Sequence, residues 1–453
     1  MIRSTRIRLC TSASRPTRRA TLTPVSTQGD GYDRTWRLVE DLFPLFRAVT
    51  GPGVRATLAR IADELPIEVH EVPSGTPVLD WTVPDEWSVR EAWIEGPDGR
   101  RFADISQTNL HLMSYSRPVR GRFSLAELDE HLYSLPDRPL AVPFRASLFG
   151  SSWAFCVAHA DRVALADGDY DVCVDSTLAP GSLTYGELVL PGETTDEILL
   201  TAHVCHPSMA NDNLSGIAVL TEIGHRLADR SRRFTYRLLF IPGTFGSITW
   251  LATHRDVIPR IRHGLVLTGL GDRSVLHYKR SRRGTTDTDR AAEIVLRDRG
   301  VGDRCIPFSP YGYDERQFCS PGFDLAVGRL SRSLHGEFPE YHTTDDNLSF
   351  IDEGRMLDAA DAVGAILDVL ESNRTLINLS PEGEPQLGRR GLYTTLGGGV
   401  DAKSMEMVLL WVLSDSDGSK DLVDIAAHCG FPYAQVERAA TALEAAGLLK
   451  AVS

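Results

Sequence analysis

The sequence lacks the paired cysteines of a disulfide framework or a zinc ribbon. Seven cysteines, an odd number, are scattered over 453 residues, and no two of them form a Cys-x-x-Cys pair. Disulfide-rich secreted domains and cysteine-based zinc modules both depend on close, paired spacing. This usage is typical of a reducing compartment, so we expect a cytoplasmic protein.

Long apolar runs and an excess of positive charge are missing as well. No stretch of eighteen apolar residues occurs, so a membrane-spanning segment is not predicted. The 48 Lys and Arg residues are outnumbered by 61 Asp and Glu residues, which gives a net charge of −13. Such a chain repels a phosphate backbone, so nucleic acid is not expected as a partner.

The start of the chain differs in composition from the rest. The first 29 residues carry six arginines and no acidic residue. Organised sequence begins near Tyr32, so we predict a disordered tail over residues 1–31. An organelle-targeting peptide has a similar composition and stays an alternative, as does a start codon chosen too far upstream.

Strand-like and helix-like segments alternate from about residue 170 to 380. Apolar residues at strand or helix spacing predict strands in 197–204, 234–243 and 263–271, and helices in 214–229 and 246–256. This alternation predicts an α/β fold with helices on the faces of a sheet. In such sheets ligands bind at the carboxyl ends of the strands, where His203 would lie.

Shifts in composition divide the chain into domains. We predict a central domain of residues 32–83 and 166–384, an inserted mostly-β domain of residues 84–165, and a last module of residues 387–453. The last module has helix-like segments with the spacing of a winged helix. It carries six basic and eight acidic residues, which favours packing or protein contact over DNA binding.

Three polar stretches supply candidate metal ligands. His203 lies near the end of the predicted strand 197–204, and Asp212 follows that strand. Imidazole and carboxylate groups both bind zinc. Each residue also has an ordinary structural interpretation, as a hydrogen-bonded strand-end histidine and as a helix N-cap. The other two stretches supply His342 in a polar turn, and Asp314, Glu315 and Arg316 before an apolar run.

A basic cluster, "HYKRSRRG", occupies residues 277–284. It forms either a solvated loop or a cradle for an anionic group of a substrate. The guanidinium of Arg is suited to the second role because it binds carboxylates and phosphates through two hydrogen bonds. Lys279 and Arg282 are therefore candidate substrate contacts. Asp314 and Arg316, in the stretch before the apolar run, are candidate substrate contacts as well.

Four motifs together resemble a family of bacterial aminopeptidase-like proteins, remote relatives of the co-catalytic zinc exopeptidases. They are "ILLTAHVCHPSMANDNLSG", "YRLLFIPGTFGSITWL", "YGYDERQFCSPGFDLAVG" and "YHTTDDNLSF". Further segments resemble the inserted domain and the winged-helix domain of that family, so the resemblance covers residues 32–450. It implies a zinc-exopeptidase-like mixed sheet flanked by helices, an inserted mostly-β domain and a C-terminal winged helix.

The resemblance also implies a ligand set. The first histidine and aspartate of the exopeptidase motif fall on His203 and Asp212, and the late Tyr-His-Thr motif falls on residues 341–343, with Asp345 after it. We predict one zinc ion held by His203, Asp212 and His342, with water in the open position.

This hypothesis gives candidate roles to two further residues. Glu315 is the candidate general base, because it is an ionisable residue in a matched motif. A salt bridge to Arg316 is its structural alternative. His206 is a candidate substrate contact or a partner of a ligand, and a plain turn histidine before Pro207 is the alternative.

The sequence departs from the exopeptidases after the second strand. Where they carry Glu-Glu, this chain reads Pro242-Gly243-Thr244. A two-metal site with a glutamate at that place is therefore excluded. Thr268 stands where a further Asp is expected, and Asp272 is displaced from it by four residues.

The expected function is a zinc-dependent hydrolase of exopeptidase type, which cleaves an amide bond with metal-activated water. Its partner would be a small peptide or an amide-bearing small molecule. The alternative is a catalytically reduced protein that binds metal or recruits partners without peptidase activity, as the missing Glu-Glu would suggest. The sequence leaves a homo-oligomer open.

Overall fold

The structure, a computed structural model, describes residues 29–392 and 400–452. The predicted tail falls almost wholly outside them, and helix α1 already begins at Gly29. The α-helices are α1 (Gly29–Leu42), α2 (Pro52–Ala62), α3 (Leu125–Asp129), α4 (His159–Val163), α5 (Ser215–Ala228), α6 (Phe245–Thr253), α7 (Asp287–Asp298), α8 (Glu315–Phe318), α9 (Glu353–Ser372), α10 (Val400–Asp415), α11 (Leu422–Cys429) and α12 (Tyr433–Ala445).

The strands are β1 (Glu68–Pro73), β2 (Pro77–Val78), β3 (Trp81–Thr82), β4 (Glu86–Glu95), β5 (Arg101–Phe102), β6 (Val119–Ser124), β7 (Leu132–Tyr133), β8 (Phe155–Cys156), β9 (Asp169–Ala179), β10 (Ser182–Leu190), β11 (Glu197–His203), β12 (Thr235–Ile241), β13 (Ile261–Leu267), β14 (His277–Lys279), β15 (Cys305–Ile306), β16 (Val327–Ser331), β17 (Thr375–Asn378), β18 (Asp417–Asp421) and β19 (Leu449–Ala451).

An eight-stranded mixed sheet forms the centre of the protein. Its strand order is β1-β10-β12-β11-β13-β16-β14-β15. The inner strands β12, β11, β13 and β16 are parallel, and antiparallel strands flank them. Every residue of β11 is buried, which explains its nearly continuous apolar sequence, since a central parallel strand is covered on both faces. The predicted strands and the mixed α/β sheet are confirmed.

Helices cover both faces of this sheet. On one face α5 packs against α1 and α9, and α7 packs against α9. On the other face α6 places Trp250 and Leu251 in a core that also contains Phe318 of α8. Helix α5 buries Ile217, Leu220 and Ile223, and burial of each such side chain contributes about 1.5–3 kcal/mol. This packing fixes the start of α5, and with it the turn that carries Asp212.

The inserted domain has a sheet and a core of its own. Its four strands have the order β5-β4-β9-β6, and its core includes Trp87, Tyr115, Phe155 and Tyr170. Strand β9 pairs with β4 as far as Ala179, so the inserted sheet continues beyond the predicted end at residue 165. Sequence reasoning missed this strand because its partner lies about eighty residues earlier in the chain.

The C-terminal module is a small sheet packed with α10, α11 and α12. Strand β17 lies between β18 and β19, so the module begins near residue 375 and not at the predicted residue 387. The Pro- and Gly-containing stretch 380–391 connects β17 to the rest of this module. Among the described residues, no helix combines the length and the apolar character needed to cross a membrane.

Candidate metal centre

The site lies at the carboxyl end of β11. His203 is the last residue of this strand and pairs with Ile241 of β12. After a short loop, residues 210–214 form a single wide turn that leads into α5, and Asp212 lies within it. Both side chains are buried. The packed strand and helix therefore hold the imidazole and the carboxylate in fixed positions.

Two histidines share the carboxylate of Asp212. The Nε2 atom of His203 lies 2.9 Å from Oδ1 of Asp212, and Nε2 of His342 lies 3.1 Å from Oδ2. The chain separation of His342 from Asp212 is 130 residues, so only the tertiary fold brings them together. The structure thus brings the three predicted ligands together, with the two imidazoles on different oxygens of one carboxylate.

His206 joins the same cluster. Its ring centroid lies 4.9 Å from that of His203 and 5.1 Å from that of His342. Ligand atoms of His203, His206 and Asp212 all lie within 4.8 Å of one another. Burial lowers the pKa of His206 to about 3, a shift that the neighbouring Asp212 opposes. The sequence predicted a substrate contact here, and the structure places a potential metal ligand.

Asp212 is a buried negative charge whose ion-pair partners, among the described residues, are imidazoles. Burial by itself would raise the pKa of this carboxyl, but His206, His203 and His342 hold it well below its usual value. A buried carboxylate needs a positive partner. Three imidazoles around one carboxylate match the nitrogen and oxygen donors of a zinc site.

Aromatic rings fix the orientation of the histidines. Tyr313 stacks on His203 with ring centroids 5.0 Å apart, and Tyr341 stacks on His342 at 3.8 Å. Phe144, from the inserted domain, meets the rings of His206 and His342 edge to face. Such packing restricts the imidazoles to a few rotamers, as a preorganised binding site requires.

A second aspartate of the late motif supports the turn that carries Asp212. Asp346 is fully buried, and its carboxylate accepts hydrogen bonds from the backbone N–H groups of Asn211 at 2.6 Å and Asp212 at 2.9 Å. Burial raises its pKa to about 8. The motif was matched to Asp345, which instead forms an ion pair with Arg138. The two adjacent aspartates differ in burial and in their partners, and the sequence reveals neither.

Asp314 faces the same site from another direction. It precedes α8, it is buried, and its Oδ1 accepts a hydrogen bond from the hydroxyl of Ser247 at 2.7 Å. Burial raises the pKa of Asp314, an effect that the neighbouring His203 and the Ser247 hydroxyl oppose. The structure therefore places this predicted substrate contact beside a candidate ligand.

Glu315, the predicted base, lies in a buried ion cluster. Its Oε1 lies 2.9 Å from the Lys279 ammonium and 3.4 Å from the Arg329 guanidinium. No ion pair with Arg316, the predicted structural alternative, occurs among the described residues. Among the described residues, no hydrogen bond or ion pair joins Glu315 to the candidate ligands. These are His203, His206, Asp212 and His342. The role of Glu315 as base stays a prediction from the sequence.

The predicted anionic cradle is not a single surface. Lys279 is almost fully buried and donates to the carbonyl of Tyr311 and to Glu315. Arg282 lies in an exposed pair with Asp324, 2.9 Å away. Lys279 is the last residue of β14, whereas Arg282 lies in the turn that follows it. Lys279 therefore stabilises Glu315, and Arg282 is already paired.

The displaced Asp272 does not replace the missing ligand. Its carboxylate accepts hydrogen bonds from the Asn211 side chain at 2.8 Å and from the backbone of Ser274 at 2.7 Å. Asn211 in turn accepts from the backbone of Gly271 at 2.9 Å. Asp272 therefore holds the 210–214 turn against the loop after β13.

The sequence matches known families over nearly all of its described length. Residues 36–373 match a family described as a domain of unknown function, DUF4910. Residues 374–451 match a winged helix-turn-helix family. A protein of Clostridium acetobutylicum, named as a polysaccharide biosynthesis protein with an aminopeptidase-like domain, is 43% identical over 417 residues, 92% of this chain and 96% of the relative.

Solved structures show the same fold. A crystal structure of a C. acetobutylicum protein, named as a peptidase, is similar with a TM-score of 0.88 and 41% identity, over 93% of this chain and 97% of that one. BSAP, a zinc aminopeptidase from Bacillus subtilis, has a TM-score of 0.55 at 16% identity, over 74% and 93% of the two chains.

A peptidase M28 precursor from Shewanella amazonensis has a TM-score of 0.51 at 13% identity, over 75% and 93%. At such low identities the last two likenesses show the fold alone. The resemblance seen in the sequence motifs is confirmed. The chain belongs to the DUF4910 family of aminopeptidase-like proteins, with a winged helix at its C-terminus.

Proposed function

We propose that this protein is a zinc-dependent hydrolase that cleaves an amide bond of a small peptide or of an amide-bearing small molecule. The observation that carries this proposal is the cluster around Asp212. Ligand atoms of His203, His206 and Asp212 lie within 4.8 Å of one another, and His342 contacts the second carboxylate oxygen.

The donor set fits zinc better than the harder metals. Imidazole nitrogens and a single carboxylate are typical zinc ligands, whereas calcium and magnesium prefer oxygen alone. His203, His206, Asp212 and His342 would hold the ion. Bound zinc would act as a Lewis acid and lower the pKa of water to near neutrality. Asp346 and the stacked Tyr313 and Tyr341 keep the ligand residues in place.

The substrate class follows from the fold and from one relative. The aminopeptidase-like fold supports cleavage of an amide near a chain end. The relative from C. acetobutylicum carries a name from polysaccharide biosynthesis, which favours N-acylated sugars as one group of amide substrates. Both groups present a carbonyl that a Lewis acid polarises and a nitrogen that must be protonated on departure.

Metal content tests the ligand set. The purified wild-type protein should bind about one zinc ion per chain, measured by mass spectrometry of the metal after dialysis. His203→Ala and His342→Ala should each lose most of it, because one nitrogen donor is removed. His159→Ala, at the start of α4 in the inserted domain, is the matched control and should keep its zinc. Full occupancy in both ligand variants would refute the site.

Hydrolysis tests the reaction. The zinc-loaded protein is assayed against aminoacyl and acyl amides with chromogenic leaving groups, and against N-acylated sugars. We expect turnover of at least one class, loss of turnover with a chelator, and recovery when zinc is restored. Activity that survives complete removal of the metal would contradict the proposal.

A catalytically reduced metal-binding protein is the second candidate. It is favoured by the residues after β12, where Pro242-Gly243-Thr244 offers no carboxylate. This candidate predicts a zinc-loaded protein that turns over none of the substrates above. The two assays together therefore separate the candidates.

A further inference from the structure

The loop after β12 passes close to His203 and Asp314, and its residue at that place is Gly243. A Cβ atom on Gly243 would lie 3.0 Å from Cβ of His203 and 3.0 Å from Oδ2 of Asp314. Both contacts are tighter than ordinary van der Waals distance, so a side chain there would push His203 and Asp314 apart. Because both atoms lie so close to one point, Oδ2 of Asp314 approaches His203 across the bare glycine.

The two oxygens of Asp314 differ in their partners. Oδ1 accepts the hydrogen bond from the Ser247 hydroxyl, and no described residue donates to Oδ2. Asp314 forms no ion pair with a described Lys, Arg or His residue. A buried carboxylate without a cationic partner is costly unless a ligand, a water or a proton completes it.

The carboxylate of the next residue, Glu315, has different surroundings. Glu315 already has two cationic partners, Lys279 and Arg329. Both cations contact its Oε1, and among the described residues no hydrogen bond or ion pair joins Glu315 to a histidine of the site. The charged or titratable groups that face Asp314 are His203 and Cys205 of the adjoining strand end, with Glu315 and Arg316 on its own segment.

We propose that Asp314 is the catalytic carboxylate of this site, the group that accepts a proton from the attacking water. This inference rests on the proposed hydrolase function. The water oxygen forms a bond to the amide carbonyl carbon, and one of its protons passes to Oδ2 of Asp314. The same proton then passes to the leaving nitrogen as the C–N bond breaks, which gives a carboxylic acid and an amine. Ser247 positions the carboxylate through Oδ1.

Asp314→Asn tests the proposal, because it keeps the shape of the side chain and removes the proton acceptor. We expect kcat to fall by about 10²–10⁴, with KM, zinc content and thermal midpoint close to those of the wild type. Ser247→Ala should lower kcat by a smaller factor, because Asp314 loses its positioning donor but not its charge. An Asp314→Asn protein with wild-type kcat would overturn the inference.

Glu315→Gln is the competing variant. It leaves Lys279 and Arg329 without a full countercharge, so we expect a lower thermal midpoint. The kcat of the folded fraction should change far less than in Asp314→Asn. If Glu315→Gln abolishes kcat in a protein that is folded and fully loaded, and Asp314→Asn does not, Glu315 is the base and the inference is wrong.

A measurement on the resting protein separates this inference from the proposed function. The wild type and both variants are loaded with Co²⁺, whose visible spectrum reports its surroundings, and titrated with acid. If Asp314 faces the metal, the pH dependence of the spectrum should shift in Asp314→Asn and stay unchanged in Glu315→Gln. A wild type that hydrolyses nothing refutes the function, whereas identical titrations in Asp314→Asn and the wild type refute the placement of Asp314.

Discussion

Single buried charges decide much of the stability of the central sheet. Arg237 of β12 lies between two carboxylates on the neighbouring strands, 2.7 Å from Glu187 and 2.7 Å from Glu197. The indole N–H of Trp250 also donates to Glu187, at 3.0 Å. Burial would raise the pKa of Glu187, but Arg237 and Trp250 hold it below its usual value. Arg237 thus pairs with both buried carboxylates, and it shares Glu197 with Arg260, 3.1 Å from that carboxylate.

Arg237→Met should therefore lower the free energy of unfolding by about 3–5 kcal/mol, because Glu187 loses its guanidinium partner and Glu197 keeps only Arg260. Denaturant unfolding at neutral pH measures the change. Arg90→Met is the control, since Arg90 pairs with Asp175 on the exposed side of the inserted sheet, and the unfolding midpoint should barely change. If Arg237→Met lowers the free energy of unfolding only slightly, water reaches these carboxylates and the prediction is wrong.

The decrease in unfolding free energy caused by Arg237→Met should depend on pH. Because the pKa of Glu187 is lowered in the folded wild type, its contribution to stability is present above its unfolded pKa of about 4.3. That contribution is lost as the pH falls through the folded pKa. The difference in unfolding free energy between the wild type and Arg237→Met should therefore shrink on acidification below about pH 4.

At the scale of elements, a segment of the inserted domain holds the loop that carries His342. The backbone N–H of Phe144 donates to the carbonyl of His342 at 2.7 Å, and the N–H of Thr344 donates to Val142 at 3.0 Å. His342 itself has a positive φ of 55°, a conformation that costs a non-glycine residue free energy and persists only where its surroundings hold it. The inserted domain is therefore part of the site.

Phe144→Ala should weaken zinc binding by about 10–100-fold, the range typical for residues that orient metal ligands. The rings of His206 and His342 would lose the side chain that packs against both. Competition with a chromogenic chelator measures the affinity. Phe149→Ala, a change of the same size in an exposed residue of the inserted domain, should leave it unaltered. Equal zinc affinities in the two variants would show that the backbone hydrogen bonds alone hold the loop of His342 in place.

At the scale of the whole molecule, the winged helix is docked on the central domain. Arg290 of α7 contacts Asp421 at 2.6 Å and Asp424 at 2.8 Å, both at the start of α11. Arg297 donates to the carbonyls of Ala426 and Phe431. The N-terminal N–H of α12, the second helix of the helix-turn-helix, donates to Asp298 at 2.8 Å.

This docking favours a packing role for the module. In DNA-binding relatives of this motif, the N-terminal end of the second helix contacts base edges. Here that end of α12 lies against α7, and the module as a whole has more acidic than basic residues. The preference for protein contact over DNA stays a prediction from the sequence.

The double variant Arg290→Ala, Arg297→Ala should loosen the module. Charge-assisted hydrogen bonds contribute about 1.5–3 kcal/mol each, so amides in residues 417–451 should exchange at least about tenfold faster. Hydrogen exchange with mass spectrometry measures this, with β11 and β12 as unaffected references. Arg438→Ala, an exposed change on α12, is the control. Unchanged exchange in the double variant would mean that the apolar contacts alone dock the module.

The sequence by itself determined the type of fold and three of the clustered residues. Apolar periodicity located β11, α5, β12, α6 and β13, because their core-facing positions follow the strand or helix period. His203, Asp212 and His342 were found because each stands in a motif at the end of an element. A short-range pattern is enough for these features.

Only the tertiary structure decided the rest, because it depends on contacts between distant segments. His206 joins the cluster through burial beside His203, and Asp346 rather than its neighbour Asp345 supports the turn of Asp212. The pairing of Glu315 with Lys279 and Arg329, and the approach of Asp314 to Gly243, both bring together side chains from separate loops. The local sequence pattern does not show that Glu315 pairs with cations whereas Asp314 lies beside His203. The packing of the loops on the sheet determines this.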